Sequence, residues 1–451
     1  MGMGILEPQD RSLLIEGPVK ETLARLTIPM IFGFVSIMLF GAVDTFFVAQ
    51  LGTDELAAIS FTFPVCFTII SVGIGLGVAT SSVVSRAIGK GDHDEVKHLA
   101  TYSLALSMVI VITMATIGLL TIKPLFTMMG APANLLPLIE DYISIWFMGV
   151  GFLVIPMIGN NLVRATGDTK TPSIIMMTST LINAILDPLL IFGLWGFPRL
   201  EMKGAALATV IAWFITLFPS LWILIRREKM LDLSFPKLRH VLHAWKRILH
   251  IALPAMGTNV LSPITTGIIT ALLASYGPKT VAGFGVGSRL EPIVILVIIS
   301  LSTVLTPFIG QNLGAGKHPR VHEALKACLV FSLLWQGVVS IILVFFSSSL
   351  AFLFSDDVTI RGTIQTFLWM IPFSYGFLGV TVLVSAAFNA AHKPMLATCI
   401  QLFRLFGLYI PLSFGGSYLF GVSGVFVGLS IGNILSSIVA FLLMRKHFAH
   451  D

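Results

Sequence analysis

Apolar residues along this chain come in long runs. A helix that crosses the hydrocarbon core of a bilayer needs about 20 mostly apolar residues. Runs of that kind predict helices near 26–49, 55–80, 97–121, 136–158, 172–193 and 203–225. Six more are predicted near 247–275, 280–309, 322–347, 359–385, 395–418 and 422–444. Connections are short except for one basic stretch midway. The pattern divides the chain into an N-terminal segment over 1–25, a first lobe over 26–225 (helices 1–6), a basic linker over 226–246, a second lobe over 247–445 (helices 7–12) and a tail over 446–451.

Composition agrees with a chain solvated by lipid. Of its 451 residues 56% are hydrophobic and only 11% charged, against roughly 25% charged in soluble domains. The formal net charge of +6 does not indicate a nucleic-acid partner, because basic residues of membrane proteins gather on the cytoplasmic side. With the N-terminus inside, cytoplasmic segments hold 21 of the 28 Lys and Arg, and external segments hold Lys123, Arg199, Lys203, Lys279 and Arg361. Twelve spans with both termini cytoplasmic, in the inner membrane, are therefore expected. The first 25 residues, with Asp10, Arg11, Glu16, Lys20, Glu21 and Arg25, lack the apolar core of a signal peptide, so helix 1 is expected to act as an uncleaved signal. Cys66, Cys328 and Cys399 lie in apolar runs without metal-ligand spacing and read as small buried hydrophobes.

The two halves resemble each other. At an offset of 225, Leu26-Thr27-Ile28-Pro29 matches Ile251-Ala252-Leu253-Pro254, and Leu51-Gly52 matches Tyr276-Gly277. The same offset pairs Ile88-Gly89-Lys90-Gly91 with Leu313-Gly314-Ala315-Gly316. At nearby offsets Lys170-Thr171-Pro172 pairs with His392-Lys393-Pro394, and Lys203-Gly204 with Ser423-Gly424. The expected fold is an all-α membrane protein of twelve transmembrane helices, in two pseudo-symmetric six-helix lobes around a central cavity, with rocking of the lobes giving alternating access.

Ionisable groups at membrane depth are expensive, so each is a functional candidate. Of the acidic residues only Asp44, Asp187 and Glu291 fall well inside predicted helices. Asp44 on helix 1, Tyr142 on helix 4, Asp187 on helix 5 and Thr209 on helix 6 all fall roughly 9 Å below the outer boundary at about 1.5 Å per residue. Asn183 lies one turn below Asp187 on the same face. These five can converge as a proton relay or an alkali-cation site, with oxygen ligands for a hard cation and Na+ placed at Asp44, Asn183, Asp187 and Thr209. The competing reading of each is a helix–helix hydrogen bond. The repeat gives Asp44 and Asp187 no acidic counterparts: they correspond to Ile269 and, near offset 222, to Tyr409.

Glu291, Arg289 and Arg404 are the charges inside the second lobe, with pairing of Glu291 to one arginine expected; an exposed arginine could instead hold an anionic headgroup. Pro29 and Pro188 each remove a helical hydrogen bond and favour a kink, and Pro29 shares its helix with Asp44. The motifs G-x-x-x-x-G-K-[ST] and H-E-x-x-H are absent, and Gly89-Lys90-Gly91 reads as a turn. An ion gradient rather than ATP is the expected energy source, without a cofactor.

In order and spacing, several segments resemble the multidrug and toxic-compound extrusion (MATE) family. They are Leu26-Thr27-Ile28-Pro29-Met30, Val43-Asp44-Thr45-Phe46-Phe47-Val48, Arg164-Ala165-Thr166-Gly167-Asp168, Asn183-Ala184-Ile185-Leu186-Asp187-Pro188 and Lys203-Gly204-Ala205-Ala206-Leu207-Ala208-Thr209. The branch looks DinF-like, whose cation site resembles Asp44, Tyr142, Asn183, Asp187 and Thr209; the NorM-like branch keeps acids in helices 7 and 10, which here hold none. The resemblance implies a secondary transporter, not an enzyme. It would exchange cytoplasmic amphipathic, often cationic, small molecules for H+ or Na+, as a monomer in the bilayer. A lipid-linked oligosaccharide flippase of the same architecture is the alternative, with Arg289 or Arg404 on an anionic cargo. An integral-membrane enzyme would need a cytoplasmic catalytic constellation, and His93, His98, His240, His243 and His318 have no ligand-like arrangement.

Overall fold

The computed structural model describes residues 13–232 and 238–448. Asp10 and Arg11 of the N-terminal segment, residues 233–237 of the linker and residues 449–451 of the tail lie outside the described residues. Among the described residues every regular element is helical. The membrane helices are α1 (Val19–Ala49), α2 (Thr53–Lys90), α3 (His93–Leu120), α4 (Leu136–Ala165), α5 (Lys170–Phe192) and α6 (Met202–Arg227). They continue as α7 (Leu238–Ala274), α8 (Pro278–Val294 and Leu296–Gly314), α9 (His318–Phe345) and α10 (Val358–Ala390).

The last helical stretch, Pro394–Phe448, has 55 residues. At about 1.5 Å per residue it would run far beyond a hydrocarbon core of about 30 Å if it were straight. It is not straight: Gly421 breaks it at φ 62°, ψ −141°, a conformation open to glycine and hardly to other residues. The chain doubles back there. A Cβ on Gly416 would come 2.1 Å from the Gly424 carbonyl oxygen, and one on Gly428 would come 2.4 Å from that of Leu412. The two arms, α11 (394–420) and α12 (422–448), therefore touch backbone to backbone through glycines, the close packing that small residues allow in lipid. Twelve spans result among the described residues.

The repeat is visible in the backbone. α2 ends at Gly91 with φ 75°, and α8 is followed by Gly316 with φ 70°, 225 residues later. The Gly91 N–H bonds back to Ile88 O, which makes Gly89-Lys90-Gly91 a helix terminus. Asp92 then caps α3 by accepting from Glu95 N at 2.9 Å.

By contacts the described chain forms two compact units, Ile28–Met256 (the N-unit) and the residues up to Thr27 with those from Gly257 onward (the C-unit). The divisions fall inside α1 and α7. Sequence placed a linker over 226–246, but Leu238–Lys246 is already helix and belongs to the N-unit. Its indole Trp245 Nε1 donates to Tyr102 O at 3.1 Å, and Arg247 pairs with Glu95 at 2.7 Å. In the C-unit a short helix, Leu13–Glu16, is tied to the end of α8 and the start of α9. Asn312 Nδ2 donates to Leu14 O at 2.8 Å and Lys317 Nζ to Ile15 O at 2.9 Å.

Within the N-unit the core runs through α2, α3, α4 and α6, with Trp146 edge-on to Trp213. The C-unit core gathers Phe284, Phe367 and Phe426. Large side chains such as Phe32, Leu120, Phe345 and Leu419 remain exposed on the helices, a surface suited to lipid tails rather than water.

Candidate ion-coupling site

All five residues singled out for ion coupling lie in the N-unit and all are buried. Asp44, Tyr142, Asp187 and Thr209 each sit between one and two turns from the nearer end of their helices. Asn183 and Asp187 have no exposed surface at all. Asn183 Nδ2 donates to Asp187 Oδ1 at 3.0 Å across one turn of α5, and approaches Thr209 Oγ1 of α6 at 3.4 Å. Asp44 of α1 interacts electrostatically with Asp187 and with the Tyr142 phenol of α4. The five side chains of four helices thus form one cluster.

What distinguishes the cluster is unspent acceptor capacity. Asp44 Oδ1, Asn183 Oδ1 and Asp187 Oδ2 are buried oxygens without a hydrogen-bond partner among the described residues. A buried acceptor left unpaired costs about 1–3 kcal/mol, more if charged. Two carboxylates and an amide oxygen converging this way suit a proton or a hard monovalent cation. Pro188 adds to this, since its missing N–H leaves the Ala184 carbonyl without its helical donor beside Asn183.

One neighbour escaped the sequence reading. Cys66 of α2 is buried as expected, but it also lies within electrostatic reach of Asp44 and Tyr142 and is bonded to Thr62. Its apolar surroundings in sequence gave no hint of this, because the proximity comes from packing of α2 against α4. The Arg164–Asp168 motif has a structural role: Asp168 accepts from Thr171 N at 3.0 Å at the start of α5 and pairs with Arg227 at 2.6 Å.

The second-lobe charges behave differently. Glu291 makes no ion pair with either arginine among the described residues, contrary to the pairing expected. Tyr375 donates to Glu291 Oε2 at 3.2 Å, and Arg404 acts on it only through its longer-range charge. Arg404 instead donates to Gln401 Oε1 at 3.0 Å and to the Tyr409 hydroxyl at 2.9 Å. Tyr409 bonds Asn433, and Asn433 Nδ2 donates to Ser374 Oγ at 2.8 Å. Arg289 is exposed and outside this network. Three irregular helices meet around it: α8 breaks at Ile295, α10 passes through a 3-10 turn at Pro372–Ser374, and α11 widens to a π-helix over Phe403–Tyr409. Tyr375, Ser374 and Asn433 lie in helices without an acid, and Tyr409 stands out in the sequence only as the counterpart of Asp187, so the sequence did not mark this network.

Comparison with known proteins fits the duplicated scaffold. The MatE family model matches twice, at residues 29–189 and 254–414. The second match begins and ends 225 residues after the first, the offset read from the sequence. The chain belongs to the MATE family. As a MATE protein it is a multi-pass membrane transporter of the multidrug-efflux type and not an enzyme. It is 40% identical over 438 residues to a protein of Shewanella oneidensis named FAD transporter, covering 97% of each chain. It is 26% identical to the multidrug export protein MepA of Staphylococcus haemolyticus, covering 95% of this chain and 94% of the other. Its fold matches the crystal structure of the Vibrio cholerae MATE transporter VcmN in the bent form, with 30% identity, TM-score 0.91 and 98% of each chain covered. A MATE structure in the straight conformation aligns with TM-score 0.90 at 27% identity, over 97% of this chain and 98% of that one.

Proposed function

We propose that this MATE protein is a cation-coupled antiporter of the DinF-like kind, in which H+ and/or Na+ at the Asp44–Asp187 cluster drives export of amphipathic, often cationic, compounds by alternating access. The observation that carries this is the trio of buried oxygens without partners, Asp44 Oδ1, Asn183 Oδ1 and Asp187 Oδ2. A proton shared between the acids, or Na+ bound by Asp44, Asn183, Asp187 and Thr209, relieves the repulsion of two carboxylates in a dry site. Cation entry and cargo release are then linked reciprocally.

Pro29 lies in α1 about four turns from Asp44, where a missing hydrogen bond lets the helix bend once the acid is neutralised. That relatives have been solved in a bent form and in a straight conformation is compatible with such a motion. Reconstituted protein given an imposed proton or Na+ gradient should export a cationic dye, and the Asp44→Asn variant should not. Export that ignores both gradients would sink the reading.

A second cargo reading rests on the relative named FAD transporter. Acids cluster in the N-unit, whereas the arginines at membrane depth, Arg289 and Arg404, are in the C-unit, and a flat aromatic dinucleotide with a pyrophosphate would use cationic partners of that kind. Counterflow of labelled FAD against a cationic dye separates the two. Twelve spans and a carboxylate cluster favour ion-driven export over flipping of a lipid-linked oligosaccharide.

A further inference from the structure

The first turns of α3 and α7 carry charges that the ion site does not use. Beyond them α3 is free of charged residues over 99–120 and α7 over 251–274, each long enough to cross a hydrocarbon core. The charged turns therefore stand at the membrane surface, at headgroup level.

Between them lies an open cleft of about 680 Å³ within the N-unit. One wall comes from the α2–α3 corner and holds Asp94, Glu95 and His98; the other comes from α7 and holds Arg239, His243, Lys246 and Arg247. The walls are fastened at fixed points. Arg247 pairs with Glu95 at 2.7 Å, Trp245 bonds Tyr102 O, and His98 Nε2 meets Asp232 Oδ2 at 3.4 Å. Asp92 is spent on capping α3.

After these pairings each wall keeps one kind of charge. Asp94 is exposed and forms no ion pair among the described residues, and the same is true of Arg239 and Lys246 opposite it. Arg239, His243, Lys246 and His250 follow one another at helical spacing on one exposed stripe of α7. Leu242, also exposed, stands beside them in the cleft. An anion alone would meet Asp94, and a cation alone would meet Arg239 and Lys246. A short zwitterion satisfies both.

We propose that this cleft binds the headgroup of phosphatidylethanolamine, with the phosphate against Arg239 and Lys246, the primary ammonium against Asp94, and the glycerol end against Leu242. The primary ammonium is what selects the lipid. Its N–H groups donate charge-assisted hydrogen bonds to a carboxylate, which the quaternary ammonium of phosphatidylcholine lacks. Phosphatidylglycerol offers the same phosphate but only neutral hydroxyls, and no cation, to Asp94. Bound there, the lipid bridges α3 and α7 where the N-unit's surface helix is docked, so membrane composition would bear on the stability of that docking.

The test uses purified full-length protein in detergent with equimolar phosphatidylethanolamine, phosphatidylcholine and phosphatidylglycerol, read by native mass spectrometry. Wild type should retain phosphatidylethanolamine over either competitor by roughly tenfold, the worth of one charge-assisted hydrogen bond. Asp94→Asn should level it with phosphatidylglycerol, and Arg239→Gln with Lys246→Gln should lower retention of both. These variants leave Arg247–Glu95 and Trp245–Tyr102 intact, and an unchanged elution profile confirms folding. A misfolded variant is replaced by wild type competed with soluble phosphoethanolamine, which should displace the lipid. Equal retention of phosphatidylethanolamine and phosphatidylcholine by wild type overturns the proposal. So does preference for phosphatidylglycerol, or an undiminished preference in Asp94→Asn.

Discussion

The N-unit and the C-unit descend from one repeated pattern and have diverged in opposite directions. In the N-unit α2, α4 and α5 run as unbroken α-helices, and α1 and α5 bring two carboxylates together with oxygens left unpaired. Their counterparts α8, α10 and α11 are all interrupted, and around the interruptions the polar side chains bond one another in a chain from Gln401 to Ser374. A regular backbone thus frames an unsatisfied cluster, and an irregular backbone frames a satisfied one. Unpaired oxygens invite a mobile cation, whereas a closed network holds a broken backbone in place.

The sharpest break of this comparison is at the acids. Asp44→Asn and Asp187→Asn should each bring drug export in a pump-deficient host to the level of cells without the protein, with normal membrane amounts by immunoblot. Residual export in either variant would remove that residue from coupling.

The shared scaffold is tested by an equivalent glycine pair. A Cβ at Gly204 would come 2.4 Å from Leu190 O, and one at Gly424 would come 1.9 Å from Gly416 O. Gly204→Ala and Gly424→Ala should each cost about 1–3 kcal/mol through overpacking, read as lower melting temperatures in detergent. If only one falls, the two positions do not carry the same packing.

Glu291→Gln addresses the satisfied side. The amide still accepts from Tyr375 but loses the attraction of Arg404, so stability should drop by about 1–2 kcal/mol while transport per folded molecule stays near wild type. A stable, inserted but inactive variant would instead place Glu291 in the transport path.

The smallest effect lies at the head of α10. The Lys279 ammonium, 2.6 Å away, and the Thr359 and Ile360 amides hold the Asp357 carboxyl below its usual range. A depressed folded value gives stability that is present above the unfolded carboxylate range near 4 and is lost as pH falls through the folded value. The Asp357→Asn variant should lose that acid-side slope in thermal melts, and an unchanged slope would place its origin elsewhere.

The helices were legible because crossing a bilayer is a threshold on length and hydropathy that a sequence either meets or does not. The ion cluster was legible because an acid at membrane depth stands out, and counting residues from helix ends put Asp44, Asp187, Tyr142 and Thr209 on one level. The C-unit network was not legible in that way: Tyr409, Asn433 and Ser374 are neutral, and their significance lies in how they meet. The helix breaks had signals that went unread, since Pro292 and Pro372 flank two of them. The surface turns of α7 were assigned to a linker because they are basic, although Trp245 and Arg247 dock them as helix.

The reversal at Gly421 has a consequence for how the chain enters the membrane. During insertion the 55 residues Pro394–Phe448 arrive as a single hydrophobic load, with no charged hairpin loop to mark where it should fold back. Only the glycine-permitted angles at 421, and the glycine seam that closes around them, turn that load into two crossings instead of one. A side chain at this position would disfavour the reversal, and a segment that crossed once instead of twice would put Arg445, Lys446 and His447 on the opposite face of the bilayer. Whether the stretch Pro394–Phe448 crosses once or twice hangs on one residue without a side chain.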